Sequence, residues 1–468
     1  MPTAIPGPLS LAALERLFSC HVRWVLAVAV PLFGVLWMSG CSNTIEYARY
    51  PEGLVYPVRT DPIVPTDAPP LPAESFYPPG PGRLDEEIAQ FAKAGGVTLD
   101  PGKISAEDRK ELQKALDALF GSPRVPQVGA LAESDELVTQ LTALKIRDEG
   151  DAPFKTLAQG SKVYRYHCVH CHGLTGDGRG PTGPWVVPHP RDYRSGLFKF
   201  ISTKYEGAPK PRRDDLLRVL RNGIENTSMP SFALLDVPDP ENKDSNRPTD
   251  LEAVVSYVMH LSIRGTVEIR ILQALDSGTS LKDVNVHDIM TQVVGEWANS
   301  SFVIQSAGGK TTVADNVLAP AEGSYFDFKV SDYKNAKARD AAREQSIRHG
   351  FELFSDPSGA ASCISCHKDY GRQVNFRYDK WGTMVRPMNL TTGVYRGGRR
   401  PIDLFWRIKE GIAPSGMAAA STLTNEKDVW DVVNFVHCLP YPAMLPDDVR
   451  NKVYLPPDEA GKAETAEK

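Results

Sequence analysis

The sequence predicts an all-α fold, and two observations carry that expectation: an ordered set of helical segments occurs twice, and the acidic stretch ahead of both copies has amphipathic periodicity with clear helix ends. In the repeat, "GSKVY" (160–164) matches "GFELF" (350–354), and "PRDYRSGLFK" (190–199) matches "PMNLTTGVYR" (387–396). Further on, "DLLRVLRNGI" (215–224) matches "DLFWRIKEGI" (403–412), and "DLEAVVSYVMHLS" (250–262) matches "DVWDVVNFVHCLP" (428–440). Each copy therefore reads helix, C-x-x-C-H, loop, helix ending at G-I, methionine, amphipathic helix. These are two copies of one small helical domain, over 153–262 and 346–445.

From the N-terminus, Arg16, His21 and Arg23 precede an uncharged run from Trp24 to Met38 that meets "SGC", so residues 1–40 read as a signal peptide or membrane anchor. "MSGC" resembles a bacterial lipobox, which would leave Cys41 as a lipidated N-terminus, although Met38 stands where leucine is usual. The alternative is an uncleaved anchor running from Trp24 to Ile45. Both readings place the chain outside the cytoplasm, tethered on the periplasmic side of a bacterial membrane. Residues 41–83 form a Pro-rich tether, with ten prolines between 51 and 83 that favour extended polyproline II. It reads as a stiff spacer, but Tyr56, Phe76 and Tyr77 are sticky for a free one.

Residues 84–152 form an acidic helical leader: 42–152 hold 11 Lys+Arg and 19 Asp+Glu, whereas each repeated domain is mildly basic. Net charge is −5, which excludes the basic balance of a nucleic-acid binder. In "ISAEDRKELQKALDALFGSP" Ser105 is a cap, Leu112, Leu116 and Leu119 line one face, and Gly121 and Pro123 stop the helix. Leu137, Leu141 and Leu144 mark a second, and both are expected to pack on the repeated domains or a partner. Between the copies, 263–345 matches neither; "LKDVNVHDIMTQVVGEW" has helical periodicity and "SYFDFKV" alternates like a short strand. Residues 446–468 read as a disordered tail.

The cysteines stand at 20, 41, 168, 171, 363, 366 and 438, and four of them form C-x-x-C pairs instead of an obvious disulfide framework. "CVHCH" (168–172) and "CISCH" (363–367) both fit C-x-x-C-H, the attachment signature of c-type haem. One helical turn places Cys168 with Cys171, and Cys363 with Cys366, to form thioethers with two vinyl groups; His172 and His367 then serve as iron ligands. Zinc is the rival, but neither site supplies a second histidine pair at the usual spacing. A sixth ligand is expected downstream: Met229 lies 57 positions after His172, Met417 lies 50 after His367, and the two align in the repeat. Met384 and Met388 compete with Met417. His260, His437 and Cys438 in the last helices read as core or surface residues. Tyr257, Trp430 and Phe435 are expected against the first helices, at Tyr164 and Phe354. "KPRRDDLLR" and "RGGRR" read as solvated basic runs, with haem propionates or an acidic partner as the alternative.

Over 160–262 and 350–440 both copies resemble class I cytochrome c domains. The resemblance implies that first and last helices cross over the haem. It also implies that a proline carbonyl accepts from the axial histidine, a role open to Pro181 or Pro184 in the first copy and without an evident counterpart in the second. Ala418 replaces Pro230 beside the methionine. The expected protein is a membrane-tethered dihaem cytochrome with two covalent haem c groups. It is an electron-transfer protein with no catalytic residues of its own, working with redox protein partners or a respiratory membrane complex. The tether and paired domains are similar to cytochrome subunits of alternative complex III or of some haem-copper oxidases. Two alternatives stand: a dihaem peroxidase-like enzyme with one open haem, and a constitutively docked structural haem lipoprotein.

Overall fold

Small residues at two helix crossings organise the described part of the chain, which in this computed structural model comprises residues 49–65, 82–129, 135–150, 154–203, 209–238, 247–301, 303–305, 311–313, 328–359 and 361–454. The signal or anchor over 1–40, Cys41, Phe76 and Tyr77 of the tether and the tail beyond 454 lie outside these residues. Among the described residues no helix is long and apolar enough to cross a membrane.

The leader contributes α1 (Leu84–Lys93), α2 (Ala106–Phe120) and α3 (Asp135–Ala143). Ser105 accepts from the Asp108 N–H at 3.0 Å, the expected cap of α2. Module 1 follows with α4 (Lys155–His167), the single turn α5 (Val169–His172), α6 (Arg213–Asn222), α7 (Asp250–Asp276) and α8 (Val286–Ser301). Two short strands, β1 (Val303–Gln305) and β2 (Thr311–Val313), form an antiparallel pair. Module 2 comprises α9 (Ala336–Ser355), α10 (Cys363–Cys366), the hairpin strands β3 (Arg377–Tyr378) and β4 (Met384–Val385), α11 (Pro401–Glu410), α12 (Glu426–Cys438) and α13 (Asp447–Tyr454). "SYFDFKV" lies largely outside the described residues.

In module 1, α4 crosses α7 at Gly160, where a Cβ would overlap the Ala253 carbonyl. In module 2, α9 crosses α12 at Gly350, where a Cβ would overlap the Asp431 carbonyl. The repeat aligns these pairs, so glycine is required at both for the same close approach of two backbones. Aromatic contacts sit at equivalent positions one turn on: Tyr164 on Tyr257 at 5.2 Å between centroids, Phe354 on Phe435 at 5.5 Å. Trp430 departs from expectation. It stacks on Phe405 of α11 at 4.6 Å instead of on the first helix, because it lies on the face of α12 that α11 covers.

The domain edges also differ from the sequence reading. α7 runs on through Asp276, and α8 doubles back on it with Met290, Val293, Val294 and Trp297 fully buried, so the first part of 263–345 belongs to module 1. The described part of the tether is packed, not a free spacer: Tyr56 is fully buried, its hydroxyl 2.8 Å from that of Tyr257, and Arg59 N–H donates to Glu268 at 2.7 Å. A carboxylate and guanidinium network holds it, with Asp61 accepting from both Arg59 and Arg194. Leu112, Leu116, Leu119, Leu137, Leu141 and Leu144 join the same core, as expected of the leader. At the other end, the start of the expected disordered tail is α13, because Val449 and Val453, one turn apart, bury against module 2.

Among the described residues, 190–201 join the two modules. Asp379, fully buried after β3, accepts from Arg191 at 2.7 Å, Thr383 Oγ1 at 2.8 Å and the Trp381 N–H at 3.1 Å. Trp381 Nε1 donates to the Asp192 carbonyl at 2.7 Å, and Arg407 donates to the carbonyls of Lys199 and Ile201. The leader joins in: Glu87 accepts from the Met384 N–H at 2.8 Å and lies 3.2 Å from His189.

Candidate cofactor sites

Each C-x-x-C-H motif winds a single turn, but the two are entered and left differently: α4 runs directly into Cys168, whereas α9 stops at Ser355, Ser362 with a φ of 45° precedes Cys363, and positive-φ Asp369 and Tyr370 follow His367. After α4 the chain kinks at Cys168, winds one turn, and stops at Gly173, whose positive φ of 73° ends the helix. The His172 N–H bonds the Cys168 carbonyl at 2.9 Å, and the His367 N–H bonds the Cys363 carbonyl at 2.8 Å, so each turn puts its sulfurs on one face. The described cysteines, Cys168, Cys171, Cys363, Cys366 and Cys438, are all free thiols. Burial pushes the Cys168 thiol up to about 12, with a smaller push from Cys171, and burial pushes Cys363 up to about 11. Burial of these two sulfurs disfavours the thiolate form that zinc takes.

The donor geometry makes the same distinction. Among the described residues, the group of His, Cys, Asp or Glu whose ligand atoms converge within 4.8 Å is His349, Asp428 and Asp431. Neither Cys168, Cys171 and His172 nor Cys363, Cys366 and His367 converge in that way. Three donors that do not meet at a point are poor for one zinc ion and fit a large flat group held at its edge and at its centre. The His349 group is an ion-pair network at the helix crossing, with Lys427 already on Asp431 at 2.6 Å.

Both histidines are neutral imidazoles ready to ligate. Burial pushes His172 down to about 4, opposed by the main chain at Arg191; burial lowers His367 likewise, opposed by the main chain at Met388. Their Nδ1 atoms are buried without a hydrogen-bond partner. Arg191 and Met388 hold the same place in the repeat, so the segment behind each ring is "PRDY" or "PMNL". The loop with Pro181 and Pro184 does something else. It caps the turn's own backbone, with Gly180 N–H on the Cys171 carbonyl at 3.2 Å and Thr182 N–H on that of His170 at 2.8 Å.

Met229 and Met417 also match. Each sits half-buried after a helix ended by a positive-φ glycine, Gly223 at 69° and Gly411 at 71°. The Ile224 N–H donates to the Met229 carbonyl at 3.0 Å, and the Ile412 N–H to that of Met417 at 2.9 Å. With Ala418 in place of Pro230 this hydrogen bond still forms, although the turn between differs: Asn226 carries the positive φ in the first loop and Gly416 in the second. Met384 is engaged elsewhere, against Val64, Phe91 and Tyr378, and Met388 presents its main chain to the His367 ring. His260 is a buried structural residue, its Nε2 2.9 Å from the Gln127 carbonyl and 3.2 Å from that of Phe120. Cys438 is buried 3.5 Å from an Arg343 nitrogen.

Residues 155–245, which span the first C-x-x-C-H turn, α6 and Met229, match the family model for cytochrome C oxidase, cbb3-type, subunit III. This segment is similar to a c-type cytochrome domain. Such a domain carries haem c covalently and serves electron transfer. No curated protein matches the chain. A solved structure, the Kuenenia stuttgartiensis reducing HAO-like protein complex Kustc0457/Kustc0458, is similar over 62% of this chain and 96% of its own, with 18% identity and a TM-score of 0.38.

Sequence reasoning missed Asp379, Trp381 and Arg407, since nothing local marks a residue whose partners lie 188 to 208 positions away. It also took "KPRRDDLLR" for solvated surface. Lys210 is buried beside Glu296 at 3.4 Å, and Arg213 donates to Ser256 at 2.9 Å.

Proposed function

We propose that the chain is an exported, membrane-tethered dihaem cytochrome that passes single electrons within or next to a respiratory complex. The observation that supports it best is that a crossing glycine, a C-x-x-C-H turn closed by a His N–H to first-Cys carbonyl bond and a loop closed on the methionine carbonyl occur in the same order in both modules. Cys168, Cys171, His172 and Met229 would hold one haem, and Cys363, Cys366, His367 and Met417 the other. When bound, each haem supplies an iron that cycles between ferrous and ferric states. The protein's own contribution is to bury the histidines as neutral ligands, keep the methionine loops in place and lock the modules together through Asp379. Electron transfer asks for little rearrangement, and a rigid pair suits it. The membrane tether, through a lipid on Cys41 or an uncleaved anchor, and the periplasmic location rest on the N-terminal sequence.

A pyridine haemochrome titration tests the count, with two covalent haems per chain expected. Met417→Ala should turn one haem high-spin and let it bind carbon monoxide. If the reduced wild type already binds carbon monoxide at one haem, the peroxidase-like reading gains at the expense of this one. Co-purification with a membrane complex without haem reduction during turnover would favour a structural role instead.

A further inference from the structure

Where the modules meet, cations outnumber the carboxylates that serve them. Arg191 lies on Asp379 at 2.7 Å and over the Trp381 ring at 4.9 Å; Lys199 reaches the same carboxylate at 3.6 Å and the same ring at 5.5 Å. Asp379 is also engaged by Thr383 and two main-chain N–H groups. Arg396, the counterpart of Lys199 in the repeat, enters this place from module 2. Its neighbour Gly397 abuts the Phe200 ring so closely that a Cβ would lie 3.0 Å from it. The Arg396 Nε is buried without a hydrogen-bond partner, and the charges acting on it, Arg191 and Arg386, are both positive. The other arginines of "RGGRR" differ: Arg399 and Arg400 are exposed and engaged by the Tyr441 hydroxyl at 2.6 Å and Asp403 at 2.7 Å. A half-buried guanidinium among like charges is unfavourable unless an anion joins it, and its planar fork fits a carboxylate.

One short run links this cluster to the second attachment site. Arg377 at its start donates to Cys366 Sγ at 3.4 Å, Asp379 and Trp381 occupy the hairpin turn, Arg386 follows β4, and Met388 presents its main chain to the His367 ring. Resting on the reading of Cys363, Cys366 and His367 as a haem site, we infer that Arg396, with Arg386 and, from the other module, Arg191, seats a propionate carboxylate of that haem. Module 1 thereby contributes charge to the cofactor of module 2. A cation beside a propionate disfavours the ferric state, so its removal lowers the reduction potential.

The test is a redox titration of the full-length holoprotein, with haem content measured alongside. Arg396→Gln should lower the midpoint of one haem, the one missing from a Cys363→Ala/Cys366→Ala variant, while Arg396→Lys largely preserves it and Arg399→Gln leaves both unchanged. Arg386→Gln, at an exposed position that does not threaten folding, should give a smaller fall in the same haem and serves if Arg396→Gln is not recovered. Unmoved midpoints in Arg396→Gln and Arg386→Gln, equal falls at both haems, or an equal effect of Arg399→Gln would overturn the inference. A wild type with one haem per chain would instead overturn the dihaem reading beneath it, and the haem count tells these failures apart.

Discussion

Module 1 and module 2 share a frame but not a depth of burial. In module 1 the last helix is 27 residues long and carries α2, α3, α8 and the packed residues 50–64 around it; in module 2 the equivalent helix is 13 residues long and is flanked by α11 and α13. Cys168 is buried and Cys363 half-buried, and the thiol of the first is pushed higher. The equivalent positions His260 and Cys438 show the same contrast: the first ties the leader to α7 through two carbonyls, while the second packs within module 2 with its sulfur 3.5 Å from an Arg343 nitrogen. The hydrogen bond that closes each C-x-x-C-H turn is thus common to both modules, whereas the burial of each turn is set by what the rest of the chain packs on it.

The most direct way to break the comparison is Cys363→Ala with Cys366→Ala, which should halve the covalent haem per chain in a haemochrome assay and leave the first site loaded. Asp379→Asn comes next, since it leaves Arg191 and Lys199 uncompensated in a buried interface. A loss of about 3–5 kcal/mol is expected in chemical denaturation, with the transition splitting as the modules separate. His260 then distinguishes the modules by pH. Burial holds it at about 4, below the ordinary 6.5, so the unfolded chain takes up the proton first. The stability it supports is fully present above about pH 6.5 and falls away as pH drops toward 4, by at most about 3 kcal/mol. His260→Gln should flatten that slope for module 1 in a pH series of melts. The smallest effect is expected from Gly160→Ala and Gly350→Ala, each costing about 1–3 kcal/mol because a methyl group meets a main-chain carbonyl. Similar losses at both positions would confirm a common crossing, and a marked difference would sharpen where the frames diverge.

Much of this was legible in the sequence where the signal is local. The Ser105 cap and the leucine stripes of the leader needed no more than helical spacing, and the shared loop position of Met229 and Met417 showed in their alignment within the repeat. Trp430 was misplaced because periodicity assigns a face to a helix without saying which neighbour covers it. The proline-rich composition of 41–83 likewise described the chain's stiffness but not that Tyr56 would find Tyr257. The start of the tail was misread because two valines one turn apart are a weak signal amid charged residues.

The sequence by itself determined the two C-x-x-C-H turns, the methionine loops downstream of them and the repeat that relates them, because these depend on spacings within one helical turn or one loop. Only the tertiary structure decided which main chain backs each histidine and how the modules are fixed to each other. Arg191 and Asp379 stand 188 positions apart and meet only when both modules are folded, and a pairing between distant charges leaves no periodic trace in either segment.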